Sequence, residues 1–142
     1  RVSVCLSTGL GAPVGSVLVG SRDLLAVARR WRKVTGGGMR QAGLLAAAGL
    51  HALDHNVERL AEDHARAGRL AQALAAQPAV VAVEQHTNMV FASVDPAALP
   101  RLRERAQAQR VRLSIGDEPR LRLVLHLDVP ESALARIAGV FA

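Results

Sequence analysis

Tyrosine is absent from this 142-residue chain, and its aromatic residues are limited to Trp31, Phe91 and Phe141. Without a row of rings there is no stacking platform for unpaired bases. That absence matters because a net charge of +6 and an isoelectric point near 11.3 raise the question of nucleic acid. The cations do not gather into one patch. They are spread along helical stretches such as "RLRERAQAQRVR", Arg101 to Arg112, where long cationic side chains also form a solvated face. Nucleic acid is therefore not expected as a partner. Lys33 is the one lysine, and its isolation among arginines in an alanine-rich chain reads as a coding bias.

Long apolar runs are missing as well. The longest, "AGLLAAAGL" from Ala42 to Leu50, falls far short of the ~20 residues needed to span a bilayer, so no membrane partner is expected. No signal peptide is visible. Cys5 is the single cysteine, which excludes an internal disulfide and points to a reducing compartment, the cytoplasm. The chain enters the strand-like "VSVCLS" directly after Arg1, with no turn or cap before it, as a segment cut from something longer would. What is present suffices for a globular core, since half of the residues are hydrophobic.

Apolar patterning predicts strands over 2–7 and 14–20, joined by a Gly/Pro loop at 8–13. Ser21 can cap a helix on which Leu24, Leu25, Ala28 and Trp31 recur at helical spacing. Gly36, Gly37 and Gly38 end it, each costing ~1 kcal/mol relative to alanine inside a helix. A long helix is predicted from near Met39 to Gln77, with room for a break around Asn56. Its second half places Val57, Leu60, Ala61, His64, Leu70 and Leu74 on one side. After Pro78, "AVVAVE" and "TNMVFASV" read as strands, and Asp95–Pro96 opens a helix whose regular part starts nearer Leu99. "VRLSI" and "RLRLVLHL" read as further strands, the latter setting Arg120 and Arg122 against Leu121 and Leu123. Asp128 to Pro130 starts a last helix through Ile137.

The segments "CLSTGLGAPVGSVLVGSRD", "RRWRKVTGGGMRQAGLLAAAGL", "NVERLAEDH", "TNMVF" and "RLVLHLDV" follow one another in an order that closely resembles the C-terminal part of the L-threonine aldolases. These are pyridoxal-phosphate enzymes of the fold-type I, aspartate aminotransferase-like superfamily. The resemblance runs over essentially the whole chain and implies an α/β fold in three parts. Residues 1–38 would be the C-terminal edge of a large cofactor-binding domain, 39–77 a long connecting helical segment, and 78–142 a small C-terminal α/β domain. It also implies pyridoxal phosphate as cofactor, a small amino-acid substrate and a homodimeric or homotetrameric assembly.

In that family the first loop looks like "CLSKGLG", with its lysine holding pyridoxal phosphate as a Schiff base. The matching position here is Thr8. A threonine hydroxyl cannot replace the primary amine that condenses with the cofactor aldehyde. By the same resemblance, Lys33 and Arg40 match basic residues that reach the cofactor phosphate across a subunit interface. The three glycines between them would leave backbone N–H groups free at a helix start. Arg122 matches an arginine that grips the substrate carboxylate, a task suited to a planar fork. Arg120 reads as a surface strand arginine. Lys33 is a poor substitute for the missing amine, since it sits about 25 residues further on, at a helix end.

Other candidates carry less. His51 and His55 have the i, i+4 spacing of zinc-binding helices, but "HALDH" lacks the glutamate of that motif and no third ligand is evident, so no metal is expected. His126 lies near Arg122 in sequence and reads as a core or interface histidine. Two functions fit the residues. The chain is a segment of a threonine aldolase whose lysine has been replaced, or a non-catalytic relative that binds subunits or cofactor without turnover.

Overall fold

The computed structural model describes all 142 residues, which pack as two compact units, Arg1–Arg59 and Leu60–Ala142. The expected divisions at 38 and 77 rest on the resemblance, whereas the packing boundary falls in the middle of the expected connecting segment. That segment is two helices, α2 (Gly43–His55) and α3 (Leu60–Ala75), and the turn between them follows Asn56, whose N–H caps Ala52.

In the first unit, β1 (Val2–Cys5) and β2 (Ser16–Val19) form an antiparallel ribbon with Val2 opposite Val19 and Cys5 opposite Ser16. Their connection is folded back on itself. Leu6 N–H donates to Gly15 O at 3.0 Å and Ala12 N–H to Leu6 O at 2.9 Å, while Gly11 and Gly15 take positive φ. Leu6, Leu10 and Ala12 are buried, and Leu6 lies against Gly49 of α2, where an added Cβ would come within 3.1 Å of its Cδ1. The next helix, α1 (Arg22–Val34), starts as its sequence predicts, with the Ser21 hydroxyl accepting from Leu24 N–H.

The glycine run requires a correction. It lies at the end of α1 and not at a helix start, since α2 begins only at Gly43. Gly36 N–H donates to Lys33 O and Gly37 N–H to Arg32 O, at 3.2 and 2.7 Å, so two of the three amides expected to be free are spent on closing the helix. Gly36 has φ +85°, which explains a glycine there.

The second unit is a three-stranded antiparallel sheet with helices on one face. The strands β3 (Val80–His86), β4 (Met89–Val94) and β5 (Arg120–Val124) stand in chain order, with a bulge between Val80 and Ala82. Between β4 and β5, a 3-10 turn at Pro96–Ala98, capped by Asp95, leads into α4 (Leu99–Ala108), as expected from the two prolines. A second 3-10 turn, Glu131–Ala133, leads into α5 (Leu134–Val140). The core joins Leu70 and Leu74 of α3, Val90 and Ala92 of β4, Leu121 and Leu123 of β5, Leu102 of α4 and Phe141.

Two expectations fail here. The stripe on α3 is buried along Asp63, Arg66, Ala67, Leu70 and Leu74, whereas Val57, Ala61 and His64 are exposed. Because 56–59 is not helical, Val57 does not share the helical phase. An ion pair at 2.6 Å between Arg66 Nη2 and Asp63 Oδ1 lets two charged residues occupy the inner face. The segment "VRLSI" is not a strand. Val111, Leu113 and Ile115 do alternate inward, but no neighbouring strand takes up their backbone. Arg103 of α4 binds the carbonyls of Ile115 and Gly116 instead, at 3.3 and 2.7 Å. No helix is long and apolar enough to cross a membrane.

Candidate cofactor and substrate site

Thr8 stands exposed on the loop that follows β1, and its backbone neighbours are held from the segment just after α2. Asn56 Nδ2 donates to Leu10 O at 2.8 Å, and Arg59 Nη1 to Gly9 O at 3.3 Å. These two clamps come from "NVERL", a block that sequence reasoning noticed without assigning it a task. A polar side chain directly after an apolar helix was the available signal. The Thr8 Oγ1 and Ser7 Oγ hydroxyls each lie 3.4 Å from Cys5 Sγ. Hydrogen bonds from Ser7 first, and then from Thr8, lower the Cys5 thiol from its ordinary value of 9.0 to about 6. Where β1 gives way to the loop there is thus a thiol flanked by two hydroxyls, with no amine.

Lys33 and Arg40 flank the glycine turn of the same unit, and both are exposed. The Lys33 chain runs beside Gly38, where a Cβ would sit 3.4 Å from its Cδ. At Gly37 a Cβ would meet the Arg32 carbonyl oxygen at 3.1 Å, so the turn is built for glycine.

Arg122 belongs to the second unit, on the sheet face opposite the helices. Leu121 and Leu123 point into the core while Arg120 and Arg122 are exposed, the alternation read from the sequence. The two arginines differ in their commitments. Arg120 Nη2 bonds Glu84 Oε2 at 3.2 Å, and its guanidinium lies 5.0 Å from the centre of the Phe91 ring. Arg122 makes no such pair.

The remaining candidates are placed as follows. The rings of His51 and His55 stack at 4.2 Å, and His55 Nδ1 lies 3.0 Å from His51 O. No group of three or more His, Cys, Asp or Glu is arranged to hold a metal ion. His126 is half-buried, and its Nδ1 accepts from Asp128 N–H at 3.3 Å.

Residues 1–97 match the family described as beta-eliminating lyase. The chain belongs to this family. It is 50% identical over 137 residues to the low specificity L-threonine aldolase of Escherichia coli K12, covering 96% of this chain and 40% of the relative. It is 42% identical over 138 residues to low-specificity L-threonine aldolase 1 of Arabidopsis thaliana, covering 92% and 38%. The chain therefore spans well under half the length of these curated relatives. Among solved structures, it superposes on an Exiguobacterium protein described as a candidate aromatic amino acid beta-eliminating lyase/threonine aldolase, with a TM-score of 0.70. That alignment has 20% identity and covers 98% of this chain and 44% of that one. A structure from work on the directed evolution of transaminases superposes with a TM-score of 0.60 at 21% identity, covering 98% and 36%. Both show the fold, the α/β architecture of the fold-type I pyridoxal-phosphate enzymes, of which this chain carries a part.

Family membership implies pyridoxal phosphate, and the residues present fit its two ends differently. Two exposed cations beside a glycine turn suit a phosphate by charge. Thr8 does not suit the aldehyde, because its hydroxyl, set against the Cys5 thiol, has no nitrogen to offer.

Proposed function

We propose that the chain is the C-terminal portion of a pyridoxal-phosphate-dependent L-threonine aldolase. That enzyme would cleave L-threonine and related β-hydroxy amino acids to glycine and an aldehyde, and Thr8 would stand where the lysine that holds the cofactor belongs. The 50% identity across 96% of the chain to a low specificity L-threonine aldolase carries this reading. When bound, the cofactor ring supplies a sink for the electron pair released as the Cα–Cβ bond breaks. The chain's own residues bind and orient. Lys33 and Arg40 hold the phosphate of a neighbouring subunit, which makes the working form a homodimer or homotetramer. Arg122 forks onto the substrate carboxylate, which fixes the direction of the scissile bond. Residues 1–38 would be the edge of the cofactor-binding domain, 39–77 the helical connection and 78–142 the small domain. The lone cysteine agrees with a cytoplasmic setting.

Thr8 also favours a second reading, a non-catalytic relative that keeps the cofactor and subunit surfaces without turnover. The two are separated by joining this chain to the part of the E. coli relative that it does not cover. Acetaldehyde release from L-threonine is then compared at saturating cofactor. Thr8→Lys is expected to exceed the Thr8 form by ~10³-fold or more, the usual worth of an essential group. Equal rates would sink the assignment of position 8. Inactivity of both forms, with cofactor bound, would favour the non-catalytic reading.

A further inference from the structure

The exposed sheet face of the second unit carries two arginines and one nearby carboxylate, and the carboxylate pairs with the more distant arginine. By strand register, Glu84 stands opposite Phe91, and Phe91 opposite Arg122, so the three form one row across the sheet. Arg120 belongs to the next row, opposite Ser93. Glu84 and Arg122 are therefore two strands apart, about 10 Å along the hydrogen-bonding direction, a gap that the two long side chains can close. They do not close it. Arg120 reaches diagonally across Phe91 and takes Glu84 Oε2 at 3.2 Å, its guanidinium 5.0 Å from the ring centre. His86 completes the group, with Nε2 3.7 Å from the same carboxylate oxygen and its ring edge-on to Phe91 at 6.2 Å.

The geometry points to Arg120 as a positioning residue: by engaging Glu84 over Phe91, it keeps that carboxylate away from Arg122 and leaves Arg122 open for an external carboxylate. The arrangement works by occupation. An arginine fork satisfied by an internal carboxylate must give it up before gripping a substrate, and that cost would be felt as weaker binding. The stacked Phe91 ring fixes the guanidinium that does the occupying. This inference rests on the reading of Arg122 as the substrate's carboxylate anchor. It adds that the anchor's availability is set by a neighbour that touches no substrate.

The test follows the side-chain Nε–Hε resonances of the arginines by 15N NMR in the full chain, without substrate. Glu84→Gln is expected to shift Arg120 and leave Arg122 unmoved. Arg120→Ala should shift Arg122, as Glu84 turns to it, and Arg120→Ala with Glu84→Gln should return Arg122 to its parental position. In the active fusion carrying Thr8→Lys, Arg120→Ala should raise KM for L-threonine about two- to fivefold, the range available to an exposed ion pair, and adding Glu84→Gln should reverse that rise. A structural role confined to the Phe91 contact would give no such rescue. Arg122 moving with Glu84→Gln alone, or staying still in Arg120→Ala, would overturn the inference. Failure of the anchor reading is told apart by Arg122→Ala in the same fusion: an unaltered KM there would remove the anchor, whatever the resonances show.

Discussion

Alkylation of Cys5 reads out the loop around Thr8 without requiring catalysis. The thiol is exposed, and the Ser7 and Thr8 hydroxyls at 3.4 Å hold it near pKa 6 instead of 9.0. At pH 7 about 90% of such a thiol is ionised, against about 1% of an ordinary one. The raw reaction rate is a poor guide, however, because nucleophilicity falls with basicity. Over three pKa units, a Brønsted coefficient of 0.4–0.5 removes about 15- to 30-fold, leaving a net gain of only about three- to sixfold. The midpoint of the pH profile discriminates better. Iodoacetamide labelling followed by mass spectrometry from pH 4 to 10 should give a half-maximal rate near pH 6. Ser7→Ala should move that midpoint upward, and Thr8→Val should do so by less. A parental midpoint above 8 would mean that the two hydroxyls do not converge on the sulfur and that the loop geometry is wrong.

Two perturbations test the packing that carries the site residues. Leu70→Ala empties a fully buried position on α3 and should cost about 2–5 kcal/mol, lowering the melting temperature by roughly 10 °C or more, whereas Leu44→Ser, 85% exposed, should stay within about 0.5 kcal/mol. Equal effects in thermal denaturation would contradict the assigned core. Gly36→Ala meets no atom within 4 Å but must hold φ +85°, so urea unfolding should register a loss of about 1–2 kcal/mol, part of it regained in Gly36→Asn; no loss would remove the backbone argument at that turn.

Features set by neighbours in sequence were legible in advance. Ser21 caps α1, the glycines stop it, the Asp95–Pro96 turn delays α4 to Leu99, and β5 alternates arginine with leucine. Features set by distant partners were not. "VRLSI" has a strand's alternation, but Arg103 claims its carbonyls and no strand lies beside it. The charges of Asp63 and Arg66 hid the true inner face of α3, because a hydrophobic stripe cannot register a buried ion pair. The clamps from Asn56 and Arg59 onto the Thr8 loop span 46 and 50 residues, and nothing local announces them. Of the candidate site, position 8 stood out only through the resemblance of "CLSTGLG" to the aldolase loop, which would carry a lysine where Thr8 stands. The division of labour between Arg120 and Arg122 depends on Glu84 and Phe91, two strands and one strand away, and required the register to be seen.

Covalent capture of the cofactor tests position 8 most directly. This chain, fused to the uncovered part of the E. coli relative, is mixed with stoichiometric pyridoxal phosphate, reduced with borohydride and weighed intact. The Thr8 form should gain no mass, and Thr8→Lys should gain one reduced cofactor that peptide mapping locates at position 8. A stoichiometric adduct in the Thr8 form, on Lys33 or elsewhere in this chain, would contradict the assignment, as would a Thr8→Lys adduct at any position other than 8.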